Sequence, residues 1–256
     1  MNAKAFLAML HRDAHVARRN FVTLLLQTLF QPMLLVFVFG RIMTTSGLIT
    51  PQYKSMLLPG IIALAMLLSG VWSVAMPLVS EFQFTKEIED RLLAPIEIEG
   101  VAIEKVVAGM LQAVAAGAVV IPTAWLVMGR GVQLSFAAPI QFTVLALLVA
   151  CLAASVGLVL GTSVGQTQIG LMFSLVIAPM IFFGCAYYPW SSLAPFPLLQ
   201  KVVLVNPMVY ASEGFRSTLV PQFPHLPKTA IFGALFFFDA IFLAFGLRQF
   251  RRKAVG

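Results

Sequence analysis

The charged side chains of this 256-residue chain are few, and most of its carboxylates lie in one short stretch. Residues 80–105 hold seven of the ten Asp and Glu residues: Glu81, Glu87, Glu89, Asp90, Glu97, Glu99 and Glu104. Ile88, Leu92 and Leu93 recur there at helical spacing, and Pro95 ends the pattern. We predict a short amphipathic helix over residues 85–94, whose apolar ridge and flanking charges fit a groove on another protein. The alternative is a helix lying on the membrane interface, but anionic headgroups would repel its acidic side chains.

Asp239 is the second candidate, because it interrupts the apolar run FFFDAIF. An ionisable group at mid-membrane depth is by default a functional hypothesis, for proton relay or for binding a cationic solute. The alternative is a buried, neutral carboxyl that is hydrogen-bonded to polar groups on other helices. Gln112, Gln141 and Thr143 are the expected partners.

Motifs for catalysis and for nucleotide binding are missing from the sequence. It contains no G-x-x-x-x-G-K-[ST] loop to hold ATP phosphates, no H-E-x-x-H, no G-x-S-x-G and no Cys/His cluster with metal-ligand spacing. Cys151 and Cys185 are predicted to be packing residues rather than a disulfide or a metal site. The net charge of +7 forms no basic face, so we expect no nucleic-acid partner. The chain is therefore predicted to be neither an enzyme nor a metalloprotein.

The composition is that of an integral membrane protein. Hydrophobic residues make up 60% of the chain and charged residues 11%, whereas soluble domains carry roughly 25% charged residues. A spanning helix needs about 20 mostly apolar residues. Six segments qualify: 21–40, 56–79, 106–127, 138–163, 169–187 and 229–247.

The distribution of Lys and Arg predicts the orientation. Eleven of the 17 fall in connections on one side, including the run RQFRRK after the last span, and six fall on the other. The positive-inside rule then places both termini in the cytoplasm. Residues 1–20 combine apolar residues at helical spacing with basic ones, which predicts an interfacial helix; the alternative is a solvated tail.

Small residues four apart mark two of the spans. Gly109, Ala113 and Gly117 lie on the third span, and Ala153, Gly157, Gly161 and Gly165 on the fourth. Small residues let helix backbones approach closely in lipid. We predict that both stripes are packing surfaces.

The connection 188–228 is too long for a turn and too apolar for a solvated loop. Leu198, Leu199, Val202 and Val203 indicate one short helix, and Asn206-Pro207 breaks it. A second short helix is predicted through Tyr210, Phe215 and Leu219. Since neither piece can span, we predict an external hairpin that enters the outer leaflet and returns.

The order of these features resembles the ABC-2 type exporter permeases. Tyr53 with Leu58-Pro59-Gly60 resembles the family's entry into its second span. Glu89-Asp90-Arg91-Leu92-Leu93-Ala94-Pro95-Ile96 resembles its acidic coupling segment. Pro179, Pro189 and Asn206-Pro207-Met208-Val209-Tyr210, followed by Gly214-Phe215-Arg216, resemble its C-terminal signature.

The resemblance implies one transmembrane domain over 1–256, comprising the interfacial helix (1–20), the cytoplasmic coupling loop (80–105) and the re-entrant hairpin (188–228). It implies a bacterial inner-membrane homodimer or close heterodimer above two cytoplasmic ATPase subunits, which bind the ATP and magnesium; this chain holds no cofactor. The exported substrate would be amphipathic or lipid-linked. The rival hypotheses are an ion-coupled secondary transporter using Asp239 and a structural scaffold.

The resemblance also implies roles for particular residues. The ATPase would contact the coupling segment at Glu87, Ile88, Asp90, Arg91, Leu92, Leu93 and Pro95. The substrate path would run between the second and fifth spans, along Ser69, Trp72, Met76, Phe173 and Ser174. Pro189, Trp190 and Tyr210 would shape an outer gate.

Overall fold

A computed structural model describes residues 7–13, 30, 32–50, 52–83, 97–128 and 133–255. These residues form helices joined by short turns, with no strand among them. Residues 7–13 form α1. The helices that follow are α2 (Pro32–Thr45), α3 (Tyr53–Gln83), α4 (Ile98–Met128), α5 (Pro139–Ser163), α6 (Gly170–Phe182), α7 (Pro197–Val202), α8 (Pro207–Leu219) and α9 (Lys228–Val255). The predicted all-α class is confirmed for the described residues.

Four of these helices, α3, α4, α5 and α9, are long and apolar enough to cross a membrane. The shortest, α5, has 25 residues; at about 1.5 Å per residue it extends about 38 Å, more than a hydrocarbon core of about 30 Å. These four helices contain the predicted spans 56–79, 106–127, 138–163 and 229–247. Four of the six predicted spans are therefore confirmed as span-length apolar helices.

The other two predicted spans correspond to shorter apolar helices. Of the span 21–40, residues 21–29 and 31 lie outside the described residues, and the remainder falls mostly in α2. The span 169–187 contains α6, which at about 1.5 Å per residue extends only about 20 Å. Both short helices contain a π-helical turn, at Val38–Ile42 and at Phe173–Ile177.

Helix α3 lies at the centre of the bundle, packed against α4, α5 and α8. The two glycine stripes make this packing possible. A Cβ atom added to Gly117 of α4 would lie 2.7 Å from the side chain of Met66. One added to Gly157 of α5 would lie 2.8 Å from the backbone carbonyl of Val71. The first stripe and the part of the second that lies in α5 are confirmed as packing surfaces with α3 as their common partner, whereas Gly165, predicted as the last member of the second stripe, lies beyond the end of α5.

Helix α9 lies on the outside of the bundle and packs mainly against α5. Its buried side is a stripe that includes Ile231, Leu235 and Asp239. On its other side Phe236 and Phe237 are well exposed. A helix with one buried stripe and one exposed apolar side suits a position between its neighbours and lipid.

Contacts at the helix ends fall into two groups, consistent with helices that alternate in direction. At one end, which we call the hairpin end because it carries residues 188–228, the Lys54 ammonium donates to the Met128 carbonyl at 3.3 Å. At the other end, which we call the basic end because it carries residues 248–253, the Ser163 hydroxyl donates to Gln249 Oε1 at 2.8 Å. Helix α3, which begins at the hairpin end and finishes at the basic end, connects the two groups.

Candidate functional site

The hairpin end contains the two short helices that the sequence predicts, α7 and α8. Asn206 separates them because its extended backbone cannot continue a helix, and its side-chain Oδ1 accepts from the Met208 N–H at 3.0 Å. An Asn that precedes Pro at the first helical position is a favourable helix start. The Asn206 amide also donates to the Met180 carbonyl at 2.9 Å, which ties the start of α8 to α6.

A buried ion pair on α8, Glu213 with Arg216, organises this end. Both side chains are fully buried, and the Arg216 guanidinium donates to Glu213 Oε1. The same Oε1 accepts from the Trp190 N–H at 2.9 Å, and Oε2 accepts from the Leu226 N–H at 3.0 Å. Arg216 also donates to the Cys185 carbonyl at 3.0 Å. This one ion pair therefore joins α8 to the chain that precedes it, at Cys185 and Trp190, and to the chain that follows it, at Leu226.

The local electrostatics explain why these two charges occur together. Burial lowers the pKa of Arg216, and the Glu213 carboxylate beside it opposes that shift. Removing either charge would leave the other buried without its counter-charge, a strongly unfavourable state. The role of Glu213 is not among the predictions from the sequence, although opposite charges three residues apart in an apolar segment are a signal of such a pair.

The predicted gate residues are all part of the hairpin end. Pro189 is buried, and Trp190 beside it is bound through its backbone to Glu213. The Trp190 indole donates to the Gln200 carbonyl at 2.9 Å. The Tyr210 hydroxyl donates to the Leu204 carbonyl at 2.9 Å. These bonds hold the segment 189–210 together as one unit.

The chain that leads into this unit, at residues 186 and 187, is attached to the first turns of α3. The Tyr53 hydroxyl donates to the Tyr187 carbonyl at 2.6 Å. Two turns further into the bundle, Gly60 lies so close to the Ala186 carbonyl that a side chain at residue 60 would overlap it. The absence of a Cβ is what allows this approach of helix and backbone.

Of the residues predicted to line the substrate path, some are exposed on the bundle surface and others are buried between helices. Trp72 of α3 stacks on Phe173 of α6, with ring centroids 4.5 Å apart, at the π-helical turn of α6. Met76 and Ser174 are exposed. Ser69 is buried, and its hydroxyl donates to the Gln112 carbonyl of α4 at 3.2 Å.

Asp239 lies on the buried side of α9. The prediction that its carboxyl is hydrogen-bonded to polar groups such as Gln112, Gln141 or Thr143 is wrong for the described residues. Neither carboxyl oxygen has a hydrogen-bond partner among the described residues. The Gln141 side chain instead accepts from Lys228 at 3.0 Å, and the Thr143 hydroxyl donates to the Pro139 carbonyl of its own helix.

At the basic end, a lysine on α4 joins three elements. The Lys105 ammonium lies 2.8 Å from Asp13 of α1 and 2.7 Å from Glu81 of α3. Lys105 itself is only 4% exposed. In the sequence alone Lys105 and Glu81 are only charges of a connecting loop, because nothing in the residue spacing predicts that three segments so far apart in the chain meet.

The end of α9 packs beside this cluster. Phe250 meets Phe82 edge to face, with centroids 5.5 Å apart, and the Lys253 ammonium lies 4.8 Å above the Phe82 ring. Arg251 reaches Glu99 at 3.5 Å, but both side chains are more than half exposed. The predicted coupling residues (Glu87, Ile88, Asp90, Arg91, Leu92, Leu93 and Pro95) lie in 84–96, outside the described residues.

Comparison with known proteins adds the family. The sequence model of the family described as ABC-2 type transporter matches residues 4–220, most of the chain. No curated protein matches it. The match covers α1 to α8. It therefore includes Asp13, Glu81 and Lys105 at the basic end, and the buried pair of Glu213 and Arg216 at the hairpin end. The chain therefore belongs to the ABC-2 type transporter family and is a multi-pass membrane permease component of an ABC transporter.

Proposed function

We propose that this chain is the membrane subunit of an ATP-driven exporter that moves an amphipathic or lipid-linked substrate outward. The observation that carries the proposal is the family match over residues 4–220. In this proposal the ATPase would be a separate cytoplasmic subunit, present in two copies, that binds ATP and magnesium; this 256-residue sequence contains no G-x-x-x-x-G-K-[ST] loop. Two copies of this permease would form the transmembrane unit in the bacterial inner membrane, with both termini in the cytoplasm.

The proposed architecture has six spans. The four span-length helices would be joined by a first span over residues 21–40, of which 21–29 and 31 lie outside the described residues, and by a fifth over residues 169–187, which contains α6. Residues 1–20 would form the interfacial helix, of which α1 is the described part. The α7–α8 hairpin would enter the outer leaflet, since its helices of six and 13 residues are too short to span.

The proposed mechanism depends on α3, because this one helix is bound at both ends of the bundle. Near its beginning Tyr53 binds the hairpin end, and in its last turn Glu81 binds Lys105. Its 31 residues extend about 46 Å at about 1.5 Å per residue. A push from the ATPase on residues 84–96 would tilt α3 and move the hairpin at the other end as one unit.

Under this mechanism the stacked pair of Trp72 and Phe173 lies on the substrate path. The two rings connect α3 with α6, so a tilt of α3 would separate them. The π-helical turn at Phe173 suits such a movement, because π turns often occur at functional sites. The α7–α8 unit, with Pro189, Trp190 and Tyr210, would act as the outer gate.

The experiment is purification of the tagged permease from its native membranes, identification of any Walker-type ATPase that co-purifies with it, and measurement of ATP hydrolysis by the complex in nanodiscs. Leu92→Asp and Arg91→Glu are expected to reduce ATPase binding at least tenfold while membrane insertion stays normal. Arg252→Glu is the matched control, because Arg252 is an exposed arginine at the same end of the bundle. If both coupling variants bind and stimulate the ATPase as the parent does, the proposed role of residues 84–96 is refuted.

The burial of Asp239 favours one alternative function. A carboxyl without a hydrogen bond from the described residues could carry a proton through the α5–α9 interface, as in a secondary transporter. Such a transporter would work without an ATPase, and collapse of the proton gradient by a protonophore would stop it. Transport that needs ATP and continues in the presence of the protonophore would exclude this alternative.

A further inference from the structure

Three separate parts of the chain meet at one buried ammonium group. Lys105 lies in the second turn of α4, Glu81 in the last turn of α3, and Asp13 in α1. The Nζ–carboxylate distances of 2.7 Å to Glu81 and 2.8 Å to Asp13 are those of charge-assisted hydrogen bonds. Asp13 and Glu81 also take part in further interactions.

The cluster formed by Lys105, Glu81 and Asp13 is more deeply buried than an ordinary surface ion pair. The exposed fractions are 4% for Lys105, 9% for Glu81 and 18% for Asp13. Glu104, the preceding residue in α4, is also fully buried. By contrast, the exposed pair of Arg251 and Glu99 at the same end is screened by water and contributes little.

The cluster of Lys105, Glu81 and Asp13 lies close to both ends of the connection between α3 and α4. Helix α3 ends at Gln83 and α4 begins at Ile98, so both ends of the connection 84–97 lie within two helical turns of Lys105. Helix α1 is fastened to the same point through Asp13, and its Met9 packs into the apolar cluster that includes Val101 and Phe250. A force applied to the connection therefore meets α1, α3 and α4 at one joint.

We infer that Lys105 is a positioning residue for coupling, which makes α1 and both ends of the 84–97 connection move as a single body. The inference rests on the proposed function, because the force it transmits is that of the ATPase. A set of apolar side chains could hold the helices together at similar or lower cost. A lysine with two carboxylates does more, since its directed bonds fix which turn of α1 faces which turn of α3.

The first experiment needs no ATPase. Hydrogen exchange is followed by mass spectrometry for the permease in nanodiscs, in the peptide that contains residues 7–13. In Lys105→Met this peptide is expected to exchange about tenfold faster, because α1 loses its bond to α4. Lys105→Arg should restore slow exchange, and Arg251→Gln, which removes only the exposed pair, should leave the parent rate unchanged.

Lys105→Met also leaves two carboxylates at a buried site, so the variant itself could fail to fold. Asp13→Asn is the milder substitution, because Asp13 is the most exposed member and Glu81 keeps its partner. It should accelerate exchange in the same peptide while α3 and α4 keep the parent rate. Parent exchange rates for residues 7–13 in Asp13→Asn would overturn the inference.

The second experiment adds the co-purified ATPase with ATP, magnesium and vanadate. In the parent complex, exchange is expected to change together in the peptide 7–13 and at the end of α3. In Asp13→Asn the change at the end of α3 should remain, and the change in 7–13 should be lost. A parent-like change in 7–13 in this variant refutes the inference and leaves the proposed function intact, whereas failure of the parent to bind any ATPase refutes both.

Discussion

Replacement of Arg216 by Met tests whether the buried pair of α8 holds the hairpin end together. The substitution keeps most of the side-chain volume but leaves Glu213 without its counter-charge and the Cys185 carbonyl without its donor. Loss of one member of a buried ion pair costs about 3–5 kcal/mol. Glu213 keeps the N–H groups of Trp190 and Leu226, so we expect a cost near the lower end, about 3 kcal/mol.

The double variant Glu213→Gln with Arg216→Met separates the charge from the packing. With both charges gone, the remaining loss is that of one or two hydrogen bonds, about 1–2 kcal/mol. The double variant should therefore be more stable than Arg216→Met alone. In a chain of this size, about 3 kcal/mol corresponds to a fall in Tm of about 6–12 °C.

Cys185 provides the assay, because it is fully buried and its carbonyl binds Arg216. The chain has two cysteines, so a Cys151→Ala background leaves Cys185 as the only thiol. Its reaction with a maleimide dye that fluoresces on coupling is followed during heating, and also at constant temperature. Arg216→Met should lower the midpoint and accelerate labelling, while Arg252→Met, at an exposed arginine of the basic end, should do neither.

Two results would refute this reasoning. Equal midpoints for the parent and Arg216→Met would mean that the pair contributes nothing to the hairpin end. A double variant that is less stable than Arg216→Met would mean that the charge of Glu213 is stabilised by its backbone donors rather than by Arg216.

Two further predictions concern α3 and α9. Gly60→Val should reduce the yield of monodisperse protein in size-exclusion chromatography several-fold, because the valine side chain would overlap the Ala186 carbonyl. The control is Gly170→Val, at a glycine with open space around it. Equal yields for the two variants would contradict the close approach of Gly60 to Ala186. Asp239→Leu should raise the Tm relative to Asp239→Asn, because asparagine keeps a buried polar group at a place where the described residues offer the Asp239 carboxyl no hydrogen bond, at a cost of about 1–3 kcal/mol, whereas leucine removes it. A lower Tm for the leucine variant would show that a polar group at residue 239 has a stabilising partner.

Local sequence was sufficient for the features that depend on local physics. Apolar length alone predicts the four span-length helices, because any run of about 20 apolar residues is stable as a helix in lipid. Asn206-Pro207 predicts the break between α7 and α8, since proline restricts the residue before it to an extended backbone. The glycine stripes predict close packing, although not which helix fills them.

The clusters that could carry function depend on the tertiary structure. Lys105 meets Asp13, 92 residues away, and Glu81, 24 residues away, only because α3 lies in the groove between the stripes of α4 and α5 and brings the helix ends together. The same packing leaves Asp239 without the partners that its polarity suggests, as far as the described residues go. Sequence determines which segments enter the membrane, because transfer into lipid is a property of each segment. Which polar side chains then pair is decided by the packing of those segments, because a buried charge is stabilised only by groups that the fold places within hydrogen-bond distance.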